Sequence, residues 1–208
     1  MHSENQTKAD CYSAGERPWM EFGQRLRGEW LDPVLRFLTR TRFIPDHITL
    51  VSLISGVLFV PCWLLSHPWW AIFFLLLHVL LDGLDGPLAR FQGVDSQRGS
   101  FTDSFCDQVV VSIVTITLMS QSPPWLDIWG GSLFILLYVS VLAIAMVRNA
   151  LHTPYSWLVR PRFFFFGAIP IELLGASNLV WLTIWCSNVL LLMKTISGFF
   201  KLRQSLPK

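Results

Sequence analysis

Apolar residues dominate the chain from about residue 44 onward, and short polar, Pro-rich or Gly-rich separators divide them into long stretches. A helix that crosses a bilayer needs about 20 apolar residues, so this pattern predicts six membrane-spanning helices. The fifth predicted span is short by that rule and contains Pro170 and Glu172. The predicted spans cover 47–66, 68–91, 101–120, 124–148, 162–175 and 177–200.

The residues before the first span follow two other patterns. Residues 1–18 are polar and are predicted to be disordered. Residues 19–43 carry apolar side chains at helical spacing with Arg between them, which predicts an amphipathic helix on the membrane surface, interrupted near Pro33. An ordinary solvent-facing helix is the alternative. The apolar positions in register are Trp19, Phe22, Leu26, Trp30 and Val34.

The predicted fold class is an all-α integral membrane protein, with six transmembrane helices in residues 44–208 after the amphipathic juxtamembrane helix. Composition agrees, since 52% of residues are hydrophobic and 14% are charged, against about a quarter charged in soluble domains. The net charge of +2 gives no reason to expect a nucleic-acid partner. The four Cys are scattered, so neither a zinc site nor a disulfide framework is expected.

The positions of the basic residues predict the topology. With six spans, all 16 Lys and Arg fall on one side of the membrane, provided that Lys194 snorkels toward it. The separators at 66–68, 121–124 and 175–177 carry none of them. Because positive residues favour the cytoplasmic side, both termini are predicted to be cytoplasmic. A five-span arrangement would divide the basic loops between the two sides.

An acidic window interrupts the apolar pattern from the end of the second span to the start of the third. Its sequence is LLDGLDGPLARFQGVDSQRGSFTDSFCDQ. Asp82 and Asp85 are three residues apart, and Asp103 and Asp107 are four apart, so each pair lies on one helical face. The two spans form a hairpin, and we expect their acidic faces to meet. Bare carboxylates in a bilayer are unfavourable, and oxygen ligands without Cys or His select hard cations. The window therefore predicts a site for two divalent ions, with surface ion pairs as the alternative; Asp95 is interpreted as a solvated turn residue.

These residues reproduce a known signature. The spacing D-x2-D-G-x2-A-R-x8-G-x3-D-x3-D is matched at every fixed position, and the segment IPDHIT is similar to the P-[ND]-x-x-T opening of the first span. The chain therefore resembles the CDP-alcohol phosphotransferases, also called CDP-alcohol phosphatidyltransferases, which are membrane enzymes of phospholipid synthesis. The signature positions are Asp82, Asp85, Gly86, Ala89, Arg90, Gly99, Asp103 and Asp107.

The resemblance implies a function and a role for each matched residue. A phosphatidyl group would pass from CDP-diacylglycerol to a small alcohol with release of CMP, on the cytoplasmic side of the membrane and in a homodimer. The four aspartates would bind two Mg²⁺ or Mn²⁺ ions, and Asp107 would also take the proton of the acceptor hydroxyl. The cytidine diphosphate pocket would be lined by Gly86, Ala89, Arg90 and Gly99, with Asp46 and Thr49 closing it from the first span.

The acceptor alcohol is left open by the sequence. Arg148, Arg160 and Arg162 flank the loop between spans 4 and 5, on the side of the aspartates, and could bind a phosphorylated acceptor such as glycerol 3-phosphate. The alternative is that they only mark topology. The K-A-R-A-E pattern of inositol-phosphate acceptors is absent around MVRNALH. His152 is interpreted as incidental.

Other functions explain less of the pattern. A carboxylate-lined transporter of divalent cations accounts for the acids but not for Gly86, which leaves room for a phosphate, or for Arg90, which can neutralise one. A lipid-phosphate phosphatase needs a nucleophilic His grouped with Arg and Ser, and the five His form no such group. An inactive scaffold does not require the complete acid set.

Overall fold

A computed structural model describes residues 31–121, 124–151, 155 and 160–205, and these residues form helices and connecting turns. Predictions for residues 1–30 and for His152 lie outside the described residues. The helices are α1 (31–40), α2 (Pro45–Leu64), α3 (Pro68–Phe91), α4 (Gln97–Met119), α5 (Ile128–Ala150), α6 (Arg162–Leu173) and α7 (Leu179–Ser205).

Local sequence signals account for the helix starts. Proline occupies the first turn of α2 and of α3, where the missing N–H would have no helical partner. Ser96 caps α4 by accepting a hydrogen bond from Gly99 N at 3.1 Å. Asp127 caps α5 by accepting one from Gly130 N at 2.7 Å, which is why α5 begins at Ile128 rather than at residue 124.

Five of the helices, α2, α3, α4, α5 and α7, are long and apolar enough to cross a membrane. Large apolar side chains on their outer faces remain exposed, among them Leu80 and Leu182. This surface is what lipid requires, and the protein is therefore a multi-pass membrane protein. α6 has 12 residues and rises about 18 Å, so a sixth spanning helix over 162–175 is not confirmed.

α5 and α7 run parallel to each other. Trp185 Nε1 donates to Asp127 Oδ2 at 3.0 Å, and three residues further along both helices Asn188 Nδ2 donates to Gly130 O at 2.9 Å. Further on, Gly198 packs beside Ile144. Parallel helices start at the same end of a bundle. The chain between α5 and α7 must therefore return along the length of the bundle.

α6 makes part of this return. Its first residue, Arg162, contacts Asp82 in α3, and near its last turn Glu172 Oε2 accepts a hydrogen bond from Val180 N at 2.6 Å. α6 therefore runs from the acidic window to the start of α7.

α2 packs against both of the helices that carry the acids. It packs antiparallel to α3 and also packs against α4, where Gly56 faces the side chain of Val110. We call the end of the bundle where α2 begins, α3 ends and α4 begins the site end. Most of the buried apolar side chains form one cluster between the helices, including Phe59, Phe134 and Phe165.

α1 packs at the site end. Leu35 is buried against Ile48 of α2 and Leu88 of α3, while Phe37 on another face is 65% exposed. The helix continues through Pro33, so the interruption expected there does not occur within residues 31–40. Gln92, just after α3, contacts the segment between α1 and α2, since its Nε2 donates to Phe43 O at 2.8 Å.

Gly56→Ala should destabilise the protein. The added Cβ would lie 2.6 Å from Val110 Cγ1, and overpacking of this kind costs about 1–3 kcal/mol. Gly167→Ala in α6 is the matched control, because nothing lies within 4 Å of its added Cβ and alanine favours a helix by about 0.5–1 kcal/mol. Thermal unfolding in detergent should lower the Tm of Gly56→Ala only; an unchanged Tm for it would contradict the close α2–α4 approach.

Candidate active site

The structure brings the acidic faces of α3 and α4 together, as their spacing predicts. Asp82, Asp103 and Asp107 each offer a carboxylate oxygen, and these oxygens all lie within 4.8 Å of one another. Each of the three side chains is partly buried. We call this group, together with the adjacent Asp85, the acid cluster.

Asp85 is the most buried member of the acid cluster, at 6% exposed. Its Oδ2 accepts a hydrogen bond from Thr49 Oγ1 at 2.8 Å, and its Oδ1 accepts one from Gly86 N at 2.6 Å. Its carboxylate lies beside that of Asp103. α2 thus supplies the hydroxyl donor that fixes this carboxylate.

A single arginine enters the acid cluster from α6. Arg162 is 5% exposed; its Nη2 lies 2.8 Å from Asp82 Oδ2, and its Nη1 forms an ion pair with Asp107 Oδ2. The guanidinium therefore joins one carboxylate of α3 to one of α4. Two buried charge-assisted contacts of this kind are strong compared with a surface pair.

His78 of α3 lies beside the acid cluster. Its Nδ1 lies 2.8 Å from Ser52 Oγ and 3.2 Å from Ser52 O, while Ser52 Oγ itself donates to His78 O at 3.0 Å. Nδ1 can donate to the Ser52 carbonyl oxygen, since a carbonyl oxygen only accepts. The other ring nitrogen, Nε2, faces Asp107. That nitrogen lies 3.8 Å from Asp107 Oδ1.

The acid cluster fits a divalent cation. Its donors are carboxylate oxygens, which suit Mg²⁺ and Mn²⁺. Asp107 Oδ1 is a buried oxygen with no hydrogen-bond partner in the described part of the chain, and such an atom is costly unless a cation or a proton satisfies it.

The residues predicted to line a nucleotide pocket lie around the site end of α3. A Cβ at Gly86 would make only an ordinary contact, 3.5 Å from Arg90 Nη1, so the chain leaves space on this face. Arg90 is exposed in the last turn of α3, and Ala89 beside it is half-buried. Asp46 is exposed in the first turn of α2, and Gly99 is half-buried in the first turn of α4.

The three arginines predicted to bind an acceptor occupy different surroundings. Arg162 is in the acid cluster. Arg148 is buried at the end of α5 with its guanidinium carbon 4.1 Å from the centre of the Tyr155 ring, and Tyr155 donates to Lys194 O at 3.1 Å. Arg160 lies between these places in the chain, two residues before α6, and is half-buried.

The sequence patterns did not single out His78, Ser52 or Tyr138 as site residues. Tyr138 of α5 is close enough to Arg160 and Asp82 to interact electrostatically with both. His78 carried a usable signal, since it lies four residues before Asp82 in an apolar span and so shares its helical face. Ser52 and Tyr138 stand in ordinary apolar surroundings and become visible only through the packing of α2 and α5.

Comparisons with known proteins agree with the signature. A family model described as CDP-alcohol phosphatidyltransferase matches residues 42–193. The archaetidylinositol phosphate synthase of Aeropyrum pernix is 32% identical over 122 residues, which cover 59% of this chain and 55% of that protein. The phosphatidylinositol phosphate synthase of Cutibacterium acnes is 34% identical over 93 residues, 41% of this chain and 43% of that protein.

The name of a third relative includes serine. The CDP-diacylglycerol–serine O-phosphatidyltransferase of Mycobacterium leprae is 30% identical over 141 residues, 65% of this chain and 45% of that protein. The chain thus spans about half the length of the curated relatives it matches. No solved structure matches it significantly.

Thr49→Val should destabilise the protein more than a matched threonine replacement does. It keeps the side-chain volume but leaves the buried Asp85 Oδ2 without its hydroxyl donor, a loss of about 1–3 kcal/mol. Thr115→Val is the control, since the buried Thr115 hydroxyl bonds only within its own helix, to Val111 O at 2.7 Å. Thermal unfolding in detergent tests this, and an equal fall in Tm for both variants would contradict a special role for Thr49.

Proposed function

Because this chain belongs to the CDP-alcohol phosphatidyltransferase family, we propose that it moves a phosphatidyl group from CDP-diacylglycerol to an alcohol and releases CMP. The observation that carries this proposal is the convergence of Asp82, Asp103 and Asp107 from two different helices, with Asp85 beside them. A transfer of phosphorus between two oxygens needs its negative charge neutralised and its reactants aligned. A cluster of four carboxylates that fits divalent cations supports such a reaction.

The acid cluster would hold two Mg²⁺ or Mn²⁺ ions through Asp82, Asp85, Asp103 and Asp107. Bound there, such ions would neutralise negative charge on the diphosphate of the donor and on the departing CMP. Thr49 and Gly86 N orient Asp85 for this role, since each donates to a different oxygen of its carboxylate. They leave the outer lone pairs of that carboxylate for a cation.

Asp107 would be the general base. In the proposed step the acceptor hydroxyl attacks the lipid-side phosphorus, its proton passes to Asp107, and the bond from that phosphorus to the oxygen of CMP breaks. A base must reach the proton that it removes, and geometry decides this before pKa does. The buried Asp107 Oδ1, which has no hydrogen-bond partner among the described residues, is available for that proton.

The cytidine diphosphate would lie at the site end, between α2, α3 and α4. Gly86 leaves space beside the acid cluster, Arg90 offers a guanidinium for a phosphate, and Ala89, Gly99 and Asp46 would complete the pocket. Thr49 would act here through Asp85. This end suits the reaction because CMP is soluble in water while the acyl chains remain in the bilayer.

The acceptor would be a phosphorylated alcohol. Two of the relatives are named as synthases of inositol phosphate lipids, whose headgroups contain a phosphorylated alcohol. Arg148, Arg160 and Arg162 supply positive charge on the side of the acid cluster. Glycerol 3-phosphate and an inositol phosphate are both candidates, whereas the serine named for another relative has no phosphate. The absent K-A-R-A-E pattern favours glycerol 3-phosphate.

We propose that the chain crosses the membrane six times, with both termini and the site end in the cytoplasm. The parallel course of α5 and α7 supports a crossing by the segment between them, although α6 alone is too short. Exposed Trp69, Trp70 and Trp129 lie at the end opposite the acid cluster, where an interfacial belt of aromatic residues is expected. The homodimer implied by the family resemblance stays a prediction.

The purified protein should release CMP only when CDP-diacylglycerol, an acceptor and Mg²⁺ are all present, and Asp107→Asn should abolish this release. The asparagine cannot take the proton, but the other three aspartates should still hold Mn²⁺ and the donor. Asp95→Asn, in the exposed turn between α3 and α4, is the charge-matched control and should keep its turnover. Metal flux without CMP release would favour the transporter alternative, and normal turnover of Asp107→Asn would refute the base assignment.

Arg160→Ala should raise the KM for a phosphorylated acceptor and leave the KM for the donor unchanged. Arg148→Ala should raise the same KM and also lower the Tm, because its guanidinium packs on Tyr155. Steady-state kinetics with glycerol 3-phosphate and inositol phosphate provide the measurement. If neither variant changes the KM of either acceptor, these two arginines only mark topology.

A further inference from the structure

Arg162 lies between two carboxylates of the acid cluster. One end of its guanidinium contacts Asp82 of α3 and the other contacts Asp107 of α4. The residue is buried, and its charge is permanent because a guanidinium does not lose its proton in proteins. The acid cluster therefore contains a fixed internal cation at the first residue of α6.

The contacts of Arg162 use oxygens that a metal ion would also need. Asp82 and Asp107 are two of the three residues whose oxygens converge within 4.8 Å, and Arg162 contacts Oδ2 of each. A divalent ion at that point would repel the guanidinium and compete for the same lone pairs. Within the described residues, Arg162 forms no ion pair with Asp85 or Asp103. These two carboxylates could therefore receive a cation first.

The rest of the Arg162 side chain holds it weakly in place. Its Nε is buried and has no hydrogen-bond partner in the described part of the chain, and its guanidinium carbon lies 4.8 Å from the centre of the neighbouring Phe163 ring. The two ion pairs are therefore the main polar contacts that keep the guanidinium between the carboxylates. A cation that takes over these oxygens would release it.

We propose that Arg162 is a positioning residue that acts as the built-in counter-cation of the acid cluster and sets its metal affinity by competing for Asp82 and Asp107. This inference rests on the metal site of the proposed function. It assigns to Arg162 a role that is separate from contact with the acceptor. In this role the arginine holds the two helices together through their carboxylates until divalent ions replace it.

Binding of Mn²⁺ alone, followed by electron paramagnetic resonance in detergent, tests the proposal without turnover. Arg162→Gln should bind Mn²⁺ about tenfold more tightly or better, since a competitor and a repelling charge are both removed. Arg162→Lys should fall between it and the wild type, because an ammonium keeps the charge but lacks the planar fork. Arg203→Gln, an exposed position in the last turn of α7, is the charge-matched control and should match the wild type.

Thermal unfolding gives a second readout. In EDTA, Arg162→Gln should melt below the wild type, because the carboxylates of the acid cluster then lack a counter-cation. Added Mn²⁺ should raise its Tm by more than it raises that of the wild type, since at one ligand concentration a tighter-binding ligand stabilises more.

The outcomes separate this inference from the proposed function. A wild type that binds no Mn²⁺ would overturn the proposed metal site and the inference with it. A wild type that binds Mn²⁺, with equal or weaker binding by Arg162→Gln, would overturn the inference alone. If Arg162→Gln does not fold, Arg162→Lys decides, and binding no tighter than that of the wild type refutes the competition.

Discussion

Four carboxylates in apolar helices impose the main constraint on this structure. Carboxylates within a bilayer are tolerated only when they are paired, hydrogen-bonded or bound to cations. The fold meets this need from several directions, since Thr49 donates from α2, Gly86 N donates from α3 itself, and Arg162 enters from α6. The acid cluster therefore decides which helices must be neighbours.

The same constraint explains why α6 is short. Arg162 has to lie at the depth of Asp82 and Asp107, so the helix begins there instead of at the membrane surface. From that depth, 12 residues suffice to reach the start of α7, where Glu172 meets Val180.

Sequence patterns predict the parts of the site that follow from helical spacing. The intervals of three and four residues within each aspartate pair define one face of α3 and one of α4, and Pro45 and Pro68 mark helix starts. Spacing does not predict which arginine reaches the acids. That choice depends on the parallel packing of α5 and α7 and on the return of the chain between them, which no local pattern encodes.

If the Arg162 guanidinium and divalent metal ions share the carboxylate oxygens of the acid cluster, the protein can fold before it binds metal. A membrane protein whose buried carboxylates relied on metal alone would hold uncompensated charges until the metal arrived, and a buried charge without a partner is strongly destabilising. A guanidinium carried by α6 supplies compensation from within the chain and joins α3 to α4 while doing so. On this proposal the acid cluster would assemble with its geometry already set, and metal binding would be an exchange of cations in a site that exists beforehand.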